Sequence, residues 1–519
     1  MLKKIVIATA AIAAAVVLFL LATLPPKPAS ISLSGVDPDL VQRTVRGAYH
    51  VHTTQSDGSG DRATVAAAAA RAGLQFVIFT DHGDGTRAMA APAYIEGVLC
   101  LDGVEVSTNG GHYVAIDMQP SSYPLGGEAA AVVEDVTRLG GFGIAAHPHH
   151  PKPELAWTDW SAPIQGIEWI NLDSEWRDDS ALSLARLPFD YLVRPAGAIA
   201  SILDRPIQTI EQWDTLEQSR SVIALAAVDA HGSGRRNGEG RAARLGIGPG
   251  YAASFRTLSN SVLLERPLAG TAASDARLVF DAIRQGSVYS VTDAVANGVV
   301  MRKRPEDGAF ELASTLPEGG QQVPVERAGR RRLEVVLPHS SPGEPPVPWI
   351  MSNWSGGRRT PPLTEILDPT VAQPLTMASP WRVEKDPASA GQLSEVEETV
   401  SVNYVLADGG TSRFVAVAAD IMAGQAPFSG LTFEGFATQP MRVSVQLRFA
   451  DGGRWAKSVY LDPAARQVTI RAEDMVSADH PGARIPDPAT ASSILIVVDL
   501  VNTKPGASGS FTVQGLRRI

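Results

Sequence analysis

Between Ala48 and Asn297 short apolar runs alternate with helical patterns, and this alternation constrains the fold more than any other feature of the chain. The runs are Ala48–His52, Phe76–Thr80, Val98–Val106, His112–Ile116, Phe142–Ala146, Gly166–Ile170 and Val222–Val228. Alanine-rich Ala63–Ala72, then Glu128–Leu139 and Ile210–Ser219, read as helices between them. Strands separated by helices predict an α/β domain with parallel strands, and seven strands suit a barrel better than an open sheet of four or five. Function on such folds sits at the C-terminal ends of the strands.

Those ends carry metal-ligand chemistry. The first run closes on His50-Val51-His52, followed by Asp57 on a glycine-flanked turn. Residues two apart on an extended strand share a face, so the two imidazoles can meet one ion. FVIFTDHGD places His82 just past its strand, GVEVST supplies Glu105, NGGHYVAI supplies His112 and GFGIAAHPHHP ends at His147. ALAAVDAHGSG brings Asp229 and His231, again two apart. Of ten histidines, eight lie between His50 and His231, and His339 and His480 fall in the later part of the chain. One strand-end histidine is more often structural than a ligand, but six histidines and three carboxylates at successive strand ends are poorly explained by chance. Imidazole mixed with carboxylate suits zinc, manganese or iron, whereas magnesium and calcium prefer oxygen alone.

With these motifs in this order the chain resembles the polymerase-and-histidinol-phosphatase (PHP) superfamily of metallohydrolases, over roughly Ala48–Asn297. The resemblance implies a distorted seven-stranded β/α barrel and two or three divalent ions. One would be held by His50, His52, Glu105 and Asp229, a second by Glu105, His112 and His147, and a third by Asp57, His82 and His231. Glu105 would bridge the first two ions, and Asp229 and His231 are candidates for proton transfer. Metal coordination lowers the pKa of water from 15.7 to about 7, so a metal-bridged hydroxide is the expected nucleophile. The expected activity is that of a phosphoesterase. Hydrolysis of carboxylic or carbamate esters at the same site is the alternative, since the layout resembles the exported PHP branch that includes carbaryl hydrolase. A non-catalytic barrel in an envelope- or carbohydrate-binding protein is a third reading.

His149, His150 and Lys152 are candidates for the substrate entrance, as are Arg235 and Arg236 after GSG, because guanidinium groups chelate oxyanions. Each is also read as a solvated loop residue. Trp157, Trp160, Trp169 and Trp176 are expected to pack, with stacking on substrate the lesser reading. Glu168, in GIEWIN, is placed near the site but not counted as a ligand.

The N-terminus has Lys3 and Lys4 followed by an apolar run from Ile5 to Leu24. At helical rise this reaches about 30 Å, enough to cross a bilayer. The lysines place the remainder outside, on the periplasmic side of a bacterial inner membrane, or secreted if the segment is a cleaved signal peptide. Expected boundaries are 1–24 for the anchor or signal, 25–45 for a linker, 46–297 for the PHP-like domain, 298–365 for a small β-rich, sandwich-like segment and 366–519 for a β-sandwich or jelly roll. The last region, with runs such as MRVSVQLRF and SILIVVDLV, resembles galactose-binding-like modules, and Trp354, Trp381 and Trp455 are its candidates for a carbohydrate platform. The formal charge of −10 argues against a nucleic-acid polymer but not against a small anionic or ester substrate, whose local field bound metals reverse. Cys100 is the only cysteine, so no disulfide forms within the chain.

Overall fold

In the computed structural model, which describes residues 2–25, 27–178, 181–232, 249–316, 320–327, 329–336, 347–356, 371–478, 483 and 485–519, all seven apolar runs are strands. They are β1 (Thr44–Tyr49), β2 (Phe76–Phe79), β3 (Val98–Thr108), β4 (Gly111–Ile116), β5 (Phe142–Ala145), β6 (Gly166–Asn171) and β7 (Ile223–Ala227). The intervening helices are α1 (Arg62–Arg71), α2 (Ala129–Arg138) and α3 (Ile207–Leu216). Asp61 starts α1 by accepting from the Thr64 amide, a capping bond that satisfies one of the free N–H groups of the first turn.

The strands lie side by side in chain order, and β1/β2, β2/β3, β5/β6 and β6/β7 are parallel. The expectation of parallel strands fails in the middle, where β4 runs antiparallel to both β3 and β5. Only Asn109 and Gly110 separate β3 from β4. Two residues make a hairpin, while a parallel crossover needs a dozen or more. At the far end of the path the chain returns to its start. Val228 and Ala230 donate to the carbonyls of Tyr49 and His50, and His52 donates to that of Ala230, at 3.0–3.2 Å.

The region after residue 250 extends the same sheet. Strands β8 (Ser259–Leu263), β9 (Val288–Val291), β10 (Gln321–Arg327), β11 (Arg330–Val336) and β12 (Pro348–Ser352) continue it beyond β1 in the order β8-β9-β12-β11-β10. Two further strands of 298–365, Met301–Lys303 and Phe310–Leu312, pair in a separate two-stranded sheet whose Met301 and Phe310 share a core with Leu333 and Trp349 of the extension. Two asparagines explain how this extension closes over β7. Asn260 both donates to and accepts from the backbone of Ala226, at 2.7 and 2.9 Å, and Asn353 does the same to Ala224, at 2.9 and 2.7 Å. The side-chain amides thus replace a neighbouring strand and leave no buried backbone group unpaired there.

Two six-stranded antiparallel sheets follow. One includes β14 (Gly430–Ala437) and β18 (Ser508–Arg518), and the other includes β13 (Phe414–Asp420), β15 (Met441–Arg448), β16 (Arg454–Leu461) and β17 (Ser493–Asp499). Alternating residues such as Val417, Phe433, Val445, Ile496 and Phe511 fill one shared core, which makes this region a β-sandwich. The sandwich rests on α2, which links the strands that carry His112 and His147. Arg442 donates to Asp135 and Glu134 at 2.8 Å and to the Ala131 carbonyl at 3.0 Å, and Lys457 pairs with Glu128.

The apolar N-terminal stretch is one helix, Leu2–Ala22, exposed along its length and long and apolar enough to cross a membrane.

Candidate metal centre

The nine strand-end residues meet in one cluster around Glu105, which is buried within β3. Its Oε1 lies 2.7 Å from His112 Nδ1 and 3.0 Å from His147 Nε2. Its Oε2 lies 3.3 Å from the Nε2 atoms of both His50 and His52 and 3.2 Å from His82 Nδ1. Asp229 Oδ1 stands 3.3 Å from His52 Nε2 and 3.5 Å from His50 Nε2. Asp57 Oδ1 lies 3.3 Å from His231 Nε2 and 3.8 Å from His82 Nε2.

Four overlapping groups have donor atoms mutually within 4.8 Å: His52, Asp57, His82 and His231; His50, His52 and Asp229; His50, Glu105 and His147; and His82, Glu105 and His112. The grouping differs from the expected one in detail. His147 falls beside His50, and His82 reaches both Glu105 and Asp57.

The same-face account of the two His/Asp-x-His pairs needs correction. The regular strand ends at Tyr49 and Ala227, and His50 and Asp229 have φ values of +64° and +40°. His147 likewise has φ +29°. The left-handed region costs a residue with a Cβ on the order of 1–3 kcal/mol, and it bends the chain so that these side chains turn inward. The turn that carries Asp57 is fixed by Asp81, which accepts from the Thr53 amide and hydroxyl and from Ser56 Oγ at 2.6–2.8 Å. At Gly58 a Cβ would overlap the His52 carbonyl, so only glycine allows the turn to close on the site.

The electrostatics call for positive charge. Burial alone would raise the carboxyls of Glu105 and Asp229, but the surrounding imidazoles, His50 foremost, hold both well below the ordinary carboxylate range. Burial opposes charge on His52, yet Asp229 and Glu105 overcome it and push the imidazole up to about 9. His50 is raised for the same reason, whereas burial lowers His82. His52 Nε2, His147 Nδ1 and Asp229 Oδ1 are buried without a hydrogen-bond partner among the described residues. Orphaned buried donors and acceptors are costly unless something else satisfies them. Together with a mixed imidazole and carboxylate donor set, they fit divalent cations.

Glu168 has a role that sequence reasoning missed. Fully buried on β6, it accepts from His50 Nδ1 at 2.5 Å, from the His147 amide at 2.7 Å and from Asn171 Nδ2 at 2.8 Å. Asn171 also donates to Asp229 at 3.3 Å. Glu168 thereby holds the His50 proton on Nδ1, so that with an ion bound Nε2 would be the ligating atom, beside Glu105 and Asp229. The inward position of Glu168 on an apolar strand was the available signal.

The cluster opens into a cavity of about 260 Å³ lined also by His150, Lys152, Asp173 and Arg177. Lys152 is where the sequence suggested. Of the two adjacent histidines only His150 lines this cavity, its imidazole pushed down to about 4 by burial and by His147, while His149 bonds Thr209 at 2.8 Å and lines a neighbouring cavity. Arg235 and Arg236 lie outside the described residues. Trp157 and Trp169 are core residues, and Trp160 stacks on His149. The side chain of Trp176 is outside the described set.

The proposed carbohydrate platform is not formed. Trp354 is buried and donates to Asp214 at 3.2 Å, Trp455 is buried in the sandwich core and Trp381 packs partly buried against that core. Trp354 and Trp455 are thus closed to a ligand, and Trp381 keeps only part of its surface exposed.

No family model matches the chain, and no curated protein matches it. Among solved structures, a proposed metal-dependent phosphoesterase from Bifidobacterium adolescentis is similar at 14% identity, with 38% of this chain and 91% of that one covered and a TM-score of 0.26. A family 11 carbohydrate-binding module from Clostridium thermocellum, in complex with a mixed-linked tetrasaccharide, is similar at 13% identity, covering 27% of this chain and 88% of that one with a TM-score of 0.23.

Proposed function

We propose that this protein is an exported, membrane-tethered, metal-dependent phosphoesterase of the PHP type. In this reading 46–297 is a distorted barrel domain built on β1–β7, and 366–519 is an accessory sandwich. The observation that carries the metal reading is the convergence of six imidazoles and three carboxylates on one point, with buried donor atoms left unpaired. Nothing in a purely structural role asks for so many costly polar groups at one rim.

His50, His52 and Asp229 would hold one ion, His112 and His147 a second, and Asp57, His82 and His231 a third. Divalent ions bound there supply Lewis acidity, lowering the pKa of water from 15.7 to about 7 and drawing charge from an ester oxygen. Glu105 would be shared between two ions, since Oε1 faces His112 and His147 while Oε2 faces His50, His52 and His82. Asp229 stays ionised and is held in place by Asn171. His231 donates from Nδ1 to the Asp229 carbonyl at 3.0 Å, leaving Nε2, beside Asp57, as the atom that would ligate the third ion.

Lys152 and Arg177 favour a phosphoester over a neutral ester. Both line the cavity, Arg177 paired there with Asp173 at 2.6 Å, and an ammonium beside a guanidinium suits the anionic oxygens of a phosphoryl group.

The full-length protein, purified in detergent and loaded with manganese or zinc, is expected to hydrolyse aryl phosphomonoesters or phosphodiesters. Glu105→Gln should lower both metal content and rate. Turnover of aryl carboxylate or carbamate esters alone overturns the phosphoesterase reading. Unchanged metal content in Glu105→Gln overturns the bridging assignment.

A further inference from the structure

A second cavity, of about 860 Å³, is lined by Arg46 of β1, the strand whose C-terminal end leads to His50. Its walls include Lys27 of the tether, Arg46, Arg194 and Arg256. Arg46 pairs with Asp293 at 3.2 Å, and its Nε is buried without a hydrogen bond. Arg194 donates to the carbonyl of Pro25, and Arg256 donates to that of Arg71 at 2.7 Å. Backbone carbonyls do not cancel a full charge, so the cavity keeps an excess of positive charge in a chain whose formal charge is −10.

Val193, which lines the cavity, and its neighbour Leu192, at the end of the helix Ala181–Val193, are 44% and 82% exposed beside Arg194. The cavity is also leashed to the N-terminal helix. That helix ends at Ala22, and Lys27 already lines the cavity. Five extended residues reach at most about 18 Å. If the helix spans a bilayer, the cavity lies within that distance of the phosphate layer.

We propose that this cavity binds the phosphate-bearing headgroup of an anionic glycerophospholipid, with Leu192 and Val193 entering the headgroup layer. Cations close to an anionic surface attract it, and exposed aliphatic side chains beside them gain by leaving water. The proposal rests on the transmembrane reading of the N-terminal helix and is independent of the phosphoesterase reading.

The test is native mass spectrometry of the full chain in detergent, titrated with phosphatidylglycerol and with phosphatidylcholine. Phosphatidylglycerol should be retained preferentially. Each cation removed should weaken it roughly fivefold, so Arg194→Gln with Arg256→Gln should weaken it about 30-fold. Lys27→Gln, an exposed change that does not threaten the fold, should weaken it about fivefold alone. Equal retention of the two lipids, or unchanged retention in a folded Lys27→Gln variant, overturns the proposal. Displacement of the lipid by inorganic phosphate at equal concentration would make this a site for free phosphate and overturn the lipid assignment. Release of the protein from cell membranes by alkaline carbonate overturns it through the anchor, whatever the enzyme assays show.

Discussion

Glu168→Gln tests how the site is held together while nearly preserving its shape. Three donors converge on the two oxygens of Glu168: His50 Nδ1 on Oε1, and the His147 amide and Asn171 Nδ2 on Oε2. Glutamine has one oxygen and one NH2, so whichever way it turns, a donor faces a donor. Each buried group left unpaired costs about 1–3 kcal/mol, and the charge that fixes the His50 tautomer is lost as well. Replacing the carboxylate partner of a ligating histidine lowers metal affinity roughly 10–100-fold. The assay is competition between the full-length protein and a chelator for zinc or manganese, with the melting temperature of the metal-free protein measured in parallel. A general loss of packing would lower the melting temperature without selectively weakening metal binding. Metal affinity within twofold of the parent would refute the positioning role of Glu168 and the reading of His50 as an Nε2 ligand.

Other expectations concern the frame. Arg442→Met should destabilise the docked sandwich by about 1–3 kcal/mol, because Arg442 is buried and its loss leaves the buried carboxylate of Asp135 with only Arg138 and Tyr123 as partners. Calorimetry of Arg442→Met with Asp135→Asn should show less than the sum of the two single costs, and strict additivity would refute the coupling. Burial outweighs Arg46 and Ser259 and pushes Asp293 up to about 6. A raised carboxyl contributes stability that is full below pH 3.8 and is lost as pH rises through 6, a loss of about 3 kcal/mol. Asp293→Asn should remove that part of the pH dependence of the melting temperature. Cys100 is buried, and burial pushes its thiol up to about 11, so a thiol reagent should label it only after unfolding. Rapid labelling of the native protein would contradict the packing of β3.

The sequence by itself determined the seven strands, their order and the nine residues at their ends, because apolar periodicity and ligand type are local properties. The Asn109-Gly110 hairpin was equally local, but the alternation of strands with helices around it led to the expectation of parallel pairing. Only the tertiary structure decided contacts between distant residues. Glu168 reaches His50 across 118 positions, and Asn353 caps Ala224 across 129. The same holds for which of the two candidate histidines, His149 and His150, reaches the cavity wall, and for the burial of Trp354 and Trp455, which removes them as a binding platform. Spacing along a strand says which face a residue shares with its neighbours. Which residues meet across the fold is set by packing, and here also by the left-handed turns at His50, His147 and Asp229, which no periodicity records.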